Sequence, residues 1–400
     1  MRTTDERPGS KIRARHGAIA AHQKSARGHK PTVDHRFRAF ALALLLAVIA
    51  YKSGELFLHI ARTQPLGSDF SCFWAGARVA LTMPWRVYDF VYVTQIQNWP
   101  MGPELRPFIY PPSAFLIFLP FALLPKTFAY AATMALTSTL LFSASQRAGA
   151  PWWWILFPVA WLILGCGQIT FAIGGLTLLG LTQRDRPIWA GVLFGLAAAL
   201  KPQIMLLLPL GLLADRNWRS LLAASATVAL LCVMSLLIWG PDLWMNWIGA
   251  VPRFQREVVP SIPSLRGDEI TPYSALELLG VPGALAFILA PVALWLVWLT
   301  FRTTEDPLLR LSASLGGALL ISPYAMNYDA GVLAPGVAAL LARRGERAWL
   351  LYAAVAVLFV ISTLRGPGSL LMGLIPPLLA QLPRRYGLAP ATAGVAIRAG

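Results

Sequence analysis

Charged residues are scarce in this chain, and their scarcity limits the kinds of protein it can be. They make up 13% of the 400 residues, about half of the ~25% that is usual in soluble proteins. Apolar and aromatic residues of the AVILMFWYC class reach 56%. A soluble chain with so little charge could not cover its own surface with polar groups. The composition therefore excludes a set of soluble domains and indicates an all-α polytopic membrane protein.

Histidine is missing from most of the chain, and cysteine is rare. A Ser-His-Asp triad, a Cys-His dyad or a HExxH zinc site is excluded beyond residue 60, because all five histidines precede it: His16, His22, His29, His35 and His59. Acid–base chemistry there must use carboxylates, tyrosine or lysine. The three cysteines are scattered without CxxC spacing, so we infer neither a disulfide framework nor a zinc site.

Positive charge is concentrated at the N-terminus. Residues 1–38 contain ten of the 34 Lys and Arg residues and three acidic residues, in a chain of net charge +16. Because this segment has no apolar periodicity, we predict a disordered cytoplasmic tail attracted to anionic lipid headgroups. Nucleic-acid binding is the less favoured alternative, and we expect no nucleic-acid partner. The first apolar run starts only near Phe40 without an A-x-A site after it, so we expect no cleavable signal peptide.

Apolar runs predict about twelve transmembrane helices (11–13), since a helix needs about 20 apolar residues to cross the hydrocarbon core. The domain is predicted at 39–382, followed by a cytoplasmic C-terminal tail at 383–400. Residues 187–213, with Lys201-Pro202 at the centre, are either one bent span or two short helices. The candidate spans are 39–60, 110–125, 127–146, 151–166, 168–182, 187–213, 220–240, 281–301, 307–322, 326–342, 348–364 and 369–382.

Two long segments, 61–109 and 241–280, separate these runs and are predicted to be outer loops. The basic tail places the N-terminus in the cytoplasm, and arginines at 216–219 and 343–347 mark cytoplasmic turns. Both loops and Ser322–Asn327 are then expected on the non-cytoplasmic face, with both termini inside. The two loops differ in length and chemistry, so no inverted repeat typical of transporters is evident.

Two ionisable residues stand out against this apolar background. Asp69 follows the first span and precedes an amphipathic stretch, Cys72–Ala80. It is either an N-cap for that helix or a carboxylate able to take a proton from a substrate hydroxyl. Lys201 lies between apolar residues, where a lysine is costly unless it is paired or faces a wet cavity. It either snorkels to the headgroups or holds a lipid-linked phosphate.

Other polar residues near the apolar runs have weaker individual signals. Tyr110-Pro111-Pro112 opens the second span, where proline in the first helical turn costs nothing. Gln168, near the end of a span, is a packing or a binding residue. The segment 322–329 ends in Tyr324, Asn327, Tyr328 and Asp329, and suggests either a hydrogen-bonded pocket or a helix start. Lys52 and Glu55 are three residues apart and are expected to pair.

Taken in order, these stretches resemble glycosyltransferase family 87 of the GT-C superfamily, polyprenol-phosphate-sugar-dependent mannosyltransferase-like membrane proteins. The resemblance covers 68–335, and one departure is that family members often have histidine where this chain has residues 324–329. The stretches that match are Ser68–Ala80, Val87-Tyr88-Asp89, Tyr110-Pro111-Pro112 with Leu119-Pro120 and Leu124-Pro125, Gly167-Gln168, Gly191 to Lys201-Pro202-Gln203, and Ser322-Pro323 to Asp329.

The resemblance implies a GT-C-like fold with a long first outer loop and Asp69 as catalytic base. Tyr110 and Pro111 would shape the pocket wall and Lys201 would lie near the donor phosphate, with substrate contacts also from Gln168, Gln203, Tyr324, Tyr328 and Asp329.

The resemblance further implies an inverting transfer of a hexose, mannose by default. The donor is a polyprenyl-phosphate sugar, and the acceptor is a lipid or glycan on the periplasmic face of a bacterial inner membrane. No cofactor is required, and a divalent metal is permitted without being needed, because Lys201 could neutralise the phosphate.

Two alternatives remain open on sequence alone. The first is a lipid or polysaccharide transporter or flippase that uses Lys201, Lys52–Glu55 and Asp329 as a midplane charge relay. A flippase does not need a large outer loop rich in tryptophan, however, and residues 61–109 contain Trp74, Trp85 and Trp99. The second alternative is a catalytically silent assembly subunit.

Overall fold

A computed structural model describes residues 32–98, 104–259, 262, 268–342 and 349–364. The chain divides into two units, Met1–Val48 and Ile49–Gly400. Except for the beginning of the first helix, the following description concerns the second unit. Over the described residues the regular elements are helices, which confirms the predicted all-α class, and one isolated β-bridge joins Glu269 and Met326.

The α-helices are numbered in chain order: α1 (Thr32–Thr63), α2 (Phe70–Thr82), α3 (Phe90–Ile96), α4 (Pro112–Ala122), α5 (Lys126–Arg147), α6 (Pro158–Cys166), α7 (Thr170–Leu181), α8 (Pro187–Leu200), α9 (Leu208–Ala214), α10 (Trp218–Trp239), α11 (Pro241–Arg253), α12 (Pro272–Leu278), α13 (Ala290–Thr303), α14 (Pro307–Ile321), α15 (Ala334–Ala342) and α16 (Trp349–Leu364). Short 3-10 segments lie at Pro84–Arg86, Trp152–Leu156, Gly283–Leu289 and Asn327–Leu333, and a π-helical turn at Phe254–Val258.

Four helical stretches are long and apolar enough to cross a membrane: Phe37–Thr63, Lys126–Arg147, Trp218–Trp239 and Gly283–Thr303. The helices α4, α7, α8 and α14 are apolar but shorter. The predicted count of about twelve spans is therefore not confirmed. One predicted span, 369–382, and the proposed turn at 343–347 lie outside the described residues, as do the predicted tail at 383–400 and residues 1–31 of the predicted tail 1–38.

Several apolar runs are divided because proline or glycine interrupts the helix. The ambiguous run 187–213 forms two helices, α8 and α9, with turns between them at Lys201–Leu207. Lys201 has φ −147° and ψ 79°, a non-helical conformation typical of the residue before a proline. Gly167 ends α6 with φ +79°, in the left-handed region that glycine adopts without strain. The first helix begins at Thr32, earlier than the predicted residue 39.

The two segments predicted to be loops contain helices of their own. The amphipathic stretch Cys72–Ala80 lies in α2, as expected, and α3 follows it within 61–109. The second segment, 241–280, contains α11 and α12. Trp247 of α11 donates a hydrogen bond from Nε1 to the carbonyl of Ile109 at 3.0 Å. The second segment therefore packs against the end of the first.

The helices α8 and α10 pack closely because small residues line the interface between them. A Cβ atom built on Gly191 would lie 2.5 Å from the carbonyl oxygen of Ser220, and one on Gly195 would lie 2.5 Å from the Cβ of Thr227. This Gly-xxx-Gly spacing permits the close backbone approach that membrane helices use. Most other side chains of α10 are not buried in the protein, which suits a helix that faces lipid.

A charged cluster lies near the N-terminal end of α8, opposite Lys201. The buried guanidinium of Arg310 forms two hydrogen bonds to the Asp215 carboxylate, of 2.8 and 2.9 Å. Arg184 pairs with the same carboxylate at 3.4 Å and with Glu305 at 2.6 Å. The cluster joins the chain before α8 and after α9 to the residues at the start of α14. A helix of this length separates its ends by roughly 20 Å.

Candidate active site

A cavity of about 860 Å³ opens among segments that are distant in sequence. Residues from both predicted outer loops and from the segment after α14 line it, together with the ends of α6 and α8. Its volume lies near the upper end of the ~300–1,000 Å³ typical of ligand sites. The lining includes Thr63, Gln64, Ser68, Asp69, Cys72, Phe73, Glu104, Arg106, Tyr110, Pro111, Gln168, Lys201, Gln203, Trp247, Phe254, Asp268, Tyr273, Ser322, Tyr324, Asn327 and Tyr328.

Asp69 presents a carboxylate to this cavity from the residue before α2. Its Oδ1 accepts a hydrogen bond from Nη2 of Arg106 at 2.8 Å, and its Oδ2 accepts one from Nε2 of Gln168 at 2.6 Å. The side chain is 26% exposed. Although Asp69 occupies the N-cap position, its side chain makes no capping hydrogen bond. Asp69 is therefore the N-cap residue by position, but its carboxylate is held by Arg106 and Gln168 and not by the helix amides.

Backbone hydrogen bonds fix Asp69 against the end of α6. The amide of Gly67 donates to the carbonyl of Gly165, and the amide of Asp69 donates to the carbonyl of Cys166, both at 2.8 Å. A Cβ on Gly167 would lie 2.6 Å from the Cβ of Phe70, so glycine permits this contact. Gln168 follows directly, and its amide is thereby delivered to the carboxylate.

Lys201 is buried and paired, so the snorkelling interpretation is wrong. Its Nζ donates to both carboxylate oxygens of Asp329, at 2.6 and 2.7 Å. The two side chains are 4% and 0% exposed. Oδ2 of Asp329 also accepts from the backbone amide of Met326 at 3.0 Å. An ammonium group has three donors, so the pair leaves one N–H of Lys201 for a ligand in the cavity that this residue lines.

The aromatic residues predicted for the site surround the same space. Tyr110, Tyr324 and Tyr328 line the cavity with Pro111 and Gln203, and the ring of Tyr110 packs edge-on against Phe73 at 5.0 Å. Burial, together with the negative charge of Asp329, raises the pKa of Tyr110 and Tyr324 well above the usual range. Both phenols are therefore neutral hydrogen-bond donors at physiological pH.

Unlike the other predicted site residues, Asp329 does not line the cavity. It lies behind the lining and accepts both hydrogen bonds from Lys201. Lys52 and Glu55 form their expected pair at 2.7 Å, and both side chains are about half exposed.

Sequence analysis missed several lining residues, above all Arg106. Trp247 and Tyr273 from the second long segment also line the cavity. Asp268 accepts a hydrogen bond from Nδ2 of Asn327 at 3.2 Å, which joins that segment to the chain after α14. The sequence holds only a weak signal for Arg106. It lies four residues before Tyr110-Pro111, and the nearby carboxylate of Asp89 already pairs with Arg86, so Arg106 needs a different partner.

Metal ligation has little support in this geometry. Among the residues that the structure describes, no group of three or more His, Cys, Asp or Glu side chains is arranged to hold a metal ion. The expectation that no metal is required stays a prediction.

The helical fold and the carboxylate-bearing polar cavity define a membrane protein with an enzyme-like site. A model of glycosyltransferase family 87 matches residues 108–323, more than half of the 400-residue chain. The chain therefore belongs to glycosyltransferase family 87, and it is a membrane glycosyltransferase. Searches of curated proteins and of solved structures gave no match.

The matched range contains only part of the candidate site. Tyr110, Pro111, Gln168, Lys201 and Gln203 lie inside 108–323. The candidate base, its partner Arg106 and the residues after Pro323 lie outside it. The cavity geometry, rather than the family match, brings Asp69, Tyr324 and Tyr328 into one site with the matched residues.

Proposed function

We propose that this protein transfers a hexose, by default mannose, from a polyprenyl-phosphate sugar to a lipid or glycan acceptor, with inversion at the anomeric carbon. The observation that carries the proposal is the partly exposed Asp69 carboxylate, which two side-chain donors hold at the wall of a large polar cavity. Displacement at an anomeric carbon needs a base for the acceptor hydroxyl and a stabilised leaving phosphate. Asp69 and Lys201 are suited to these two roles.

Asp69 takes the proton from the acceptor hydroxyl as its oxygen attacks the anomeric carbon. Gln168 holds the carboxylate through Nε2, and its own Oε1 is buried without a hydrogen-bond partner among the described residues. A buried amide oxygen without a partner is costly, and a substrate hydroxyl would satisfy it. Gln168 therefore orients both the base and a hydroxyl of the bound sugar.

Lys201 binds the donor phosphate through the N–H that Asp329 does not use. The neighbouring tyrosines donate hydrogen bonds from neutral phenols, which suits a polar headgroup joined to an apolar lipid tail. No cofactor enters this scheme, because the leaving phosphate can be neutralised by protein cations.

The cavity is proposed to open on the non-cytoplasmic face of a bacterial inner membrane. Arg216 and Arg219 lie at the end of α8 opposite Lys201, near the Arg310–Asp215 cluster, and a cytoplasmic place for them agrees with the positive-inside rule. Membership of a glycosyltransferase family favours this enzyme over a transporter. The exposed Lys52–Glu55 pair also lies outside the cavity lining, which gives a midplane relay no support.

The proposal is tested with purified protein, radiolabelled polyprenyl-phosphate mannose and membrane extracts as a source of acceptor. We expect label to appear in a lipid or glycan fraction with the wild type. Replacement by Asn keeps the shape of Asp69 but removes the base, so Asp69→Asn should lower transfer by about 10²–10⁴-fold.

Asp89→Asn is the matched control. Asp89 caps α3 by accepting from the amide of Tyr92 at 3.0 Å and pairs with Arg86 at 2.9 Å, but it is not among the cavity-lining residues. This variant should retain transfer. Wild-type turnover in Asp69→Asn would refute the base assignment, and the absence of label transfer by the wild type, with polyprenyl phosphates of several hexoses, would refute the proposed donor class.

A further inference from the structure

Arg106 is a cation inside the cavity to which neither the sequence nor the family match assigns a role. It lies 2.8 Å from Asp69, and its side chain is 14% exposed. It lines the same cavity as Lys201. The two cations have different partners. Lys201 pairs with Asp329, which is fully buried, whereas Arg106 pairs with Asp69, whose charge changes when it acts as the base.

The backbone of Arg106 is held firmly although its long side chain ends in the cavity. Its amide donates to Oγ1 of Thr94 at 2.8 Å, and its carbonyl accepts from Nε2 of Gln97 at 2.5 Å. Gln97 is itself buried and also donates to the carbonyl of Val93. The guanidinium is thus attached to a fixed backbone point beside Asp69 and ends in the cavity.

The balance of charge during transfer singles out Arg106. When Asp69 accepts the acceptor proton, its carboxylate becomes neutral and no longer compensates the charge of Arg106. In the same step the phosphate oxygen that leaves the anomeric carbon gains the electron pair of the broken bond and a negative charge. Lys201 keeps Asp329 throughout, so its charge stays largely compensated. The ion pair of Arg106 is therefore the one that the proton transfer itself dissolves as the new anion forms.

We propose that Arg106 is a catalytic residue that exchanges Asp69 for the departing phosphate during the reaction. The proposal rests on the proposed function and completes it. The acceptor oxygen bonds to the anomeric carbon as the bond from that carbon to the phosphate oxygen breaks; the hydroxyl proton moves to Asp69, and the bonding pair moves to the phosphate. A planar guanidinium matches phosphate oxygens in a bidentate geometry.

The test compares Arg106→Gln, Arg106→Lys and the wild type in the purified full-length protein. Two quantities are measured: transfer from polyprenyl-phosphate mannose, and inhibition by the product analogue polyprenyl phosphate. Removing the charge should lower turnover by about 10²–10³-fold, the usual effect of deleting a group that stabilises developing charge. It should also raise the inhibition constant for polyprenyl phosphate by a larger factor than the donor KM, because the product phosphate carries one more negative charge than the donor phosphate. Arg106→Lys should recover part of both losses.

Arg86→Gln is the control for loss of an arginine from the same loop. Arg86 pairs with Asp89 at 2.9 Å, is partly exposed and is not a cavity-lining residue, so both quantities should match the wild type. A merely positioning role for Arg106 predicts lower turnover with product inhibition unchanged, and this result would overturn the proposal.

A second measurement does not depend on activity or on the folding of Arg106 variants. In Asp69→Asn the guanidinium has lost its anionic partner, so polyprenyl phosphate should bind several-fold more tightly than to the wild type. Equal affinity would contradict the exchange. If the wild type itself transfers no sugar from any polyprenyl-phosphate donor, the proposed function fails; if it transfers sugar and Arg106→Gln does so equally well, only the role of Arg106 fails.

Discussion

At the scale of single residues, the Lys201–Asp329 pair determines how the site can be tested. Both groups are almost inaccessible to solvent, and removing one partner of a buried pair typically costs about 3–5 kcal/mol because the other charge is left unpaired. A loss of activity in a single variant would therefore mix misfolding with lost binding. Replacing both members together separates the two effects.

We expect the double variant Lys201→Met/Asp329→Asn to fold, because it removes both charges and keeps an oxygen near the amide of Met326. If Lys201 contacts the donor phosphate, the double variant should still show a donor KM raised about 10–100-fold, the worth of a charge-assisted hydrogen bond, and a lower turnover. The measurement is transfer rate against donor concentration, with size-exclusion profiles as the folding check. Wild-type kinetics in the double variant would restrict the pair to a structural role.

Asp69 and Lys201 could be picked out from the sequence because each is a rare charge in an apolar setting. Gln168 and Asp329 were also candidates, but the sequence did not fix which groups pair. Pairing across 99 residues for Gln168 and Asp69, or 128 for Lys201 and Asp329, depends on how the helices pack. Arg106 could not be predicted for the same reason. In sequence it is one arginine in a loop, like any solvated charge, and only the fold places Asp69 beside it.

At the scale of the helices, the interface between α8 and α10 depends on glycine. The space that an added methyl group would need at Gly195 is occupied by Thr227 and by the backbone carbonyl of Ala224, at 2.5 and 2.8 Å. Backbone atoms cannot rotate away as a flexible side chain does. The helices must therefore separate to accept a larger residue.

Gly195→Ala should destabilise the protein by about 1–3 kcal/mol, the usual cost of overpacking. Gly54→Ala is the matched control, since Gly54 also lies within a helix and has no atom within 4 Å of an added Cβ; it should be neutral or slightly stabilising. Apparent melting temperatures in detergent compare the two. A Gly195→Ala protein as stable as Gly54→Ala would show that α8 and α10 do not need this close approach.

Helix type and approximate position followed from the apolar runs, but continuity did not. The sequence does not decide whether a helix breaks after Leu200, because Lys201-Pro202 can either bend one helix or end it. The chain ends α8 there, since the residue before proline avoids the helical region, and the pairing of Lys201 with Asp329 then holds the turn. The helices inside 61–109 and 241–280 were hidden by their mixed composition, apart from the amphipathic stretch in α2.

At the scale of the whole molecule, the charged groups lie at two levels along α8. The cavity near the C-terminal end of α8 is lined by Asp69, Arg106 and Lys201. The second cluster lies near the N-terminal end of α8 and consists of Arg184, Asp215 and Arg310. In the proposed orientation the cavity level faces the outside and the other level faces the cytoplasm. Exposed positions near both levels allow a direct measurement.

Introduced cysteines should report the orientation in a variant whose three native cysteines are replaced. Gln95→Cys and Arg256→Cys, both at exposed positions in the two long segments, should react with an impermeant thiol reagent in intact cells. Arg219→Cys, exposed at the start of α10, should react only after the membrane is permeabilised. The opposite pattern would reverse the proposed topology and move the site to the cytoplasmic face.

The Lys201–Asp329 pair has a consequence for biosynthesis. The ribosome completes Lys201 128 residues before Asp329, which takes roughly 6–25 s at about 5–20 residues per second. During that interval Lys201, at the C-terminal end of an apolar helix, lacks the carboxylate that pairs with it in the folded protein. An unpaired lysine within an apolar segment is costly, so we expect the nascent α8–α9 segment to stay beside the insertion machinery or at the membrane surface until Asp329 is made. Chains that stop before residue 329 should accordingly be removed by quality-control proteases, although most of the apolar helices have already been made.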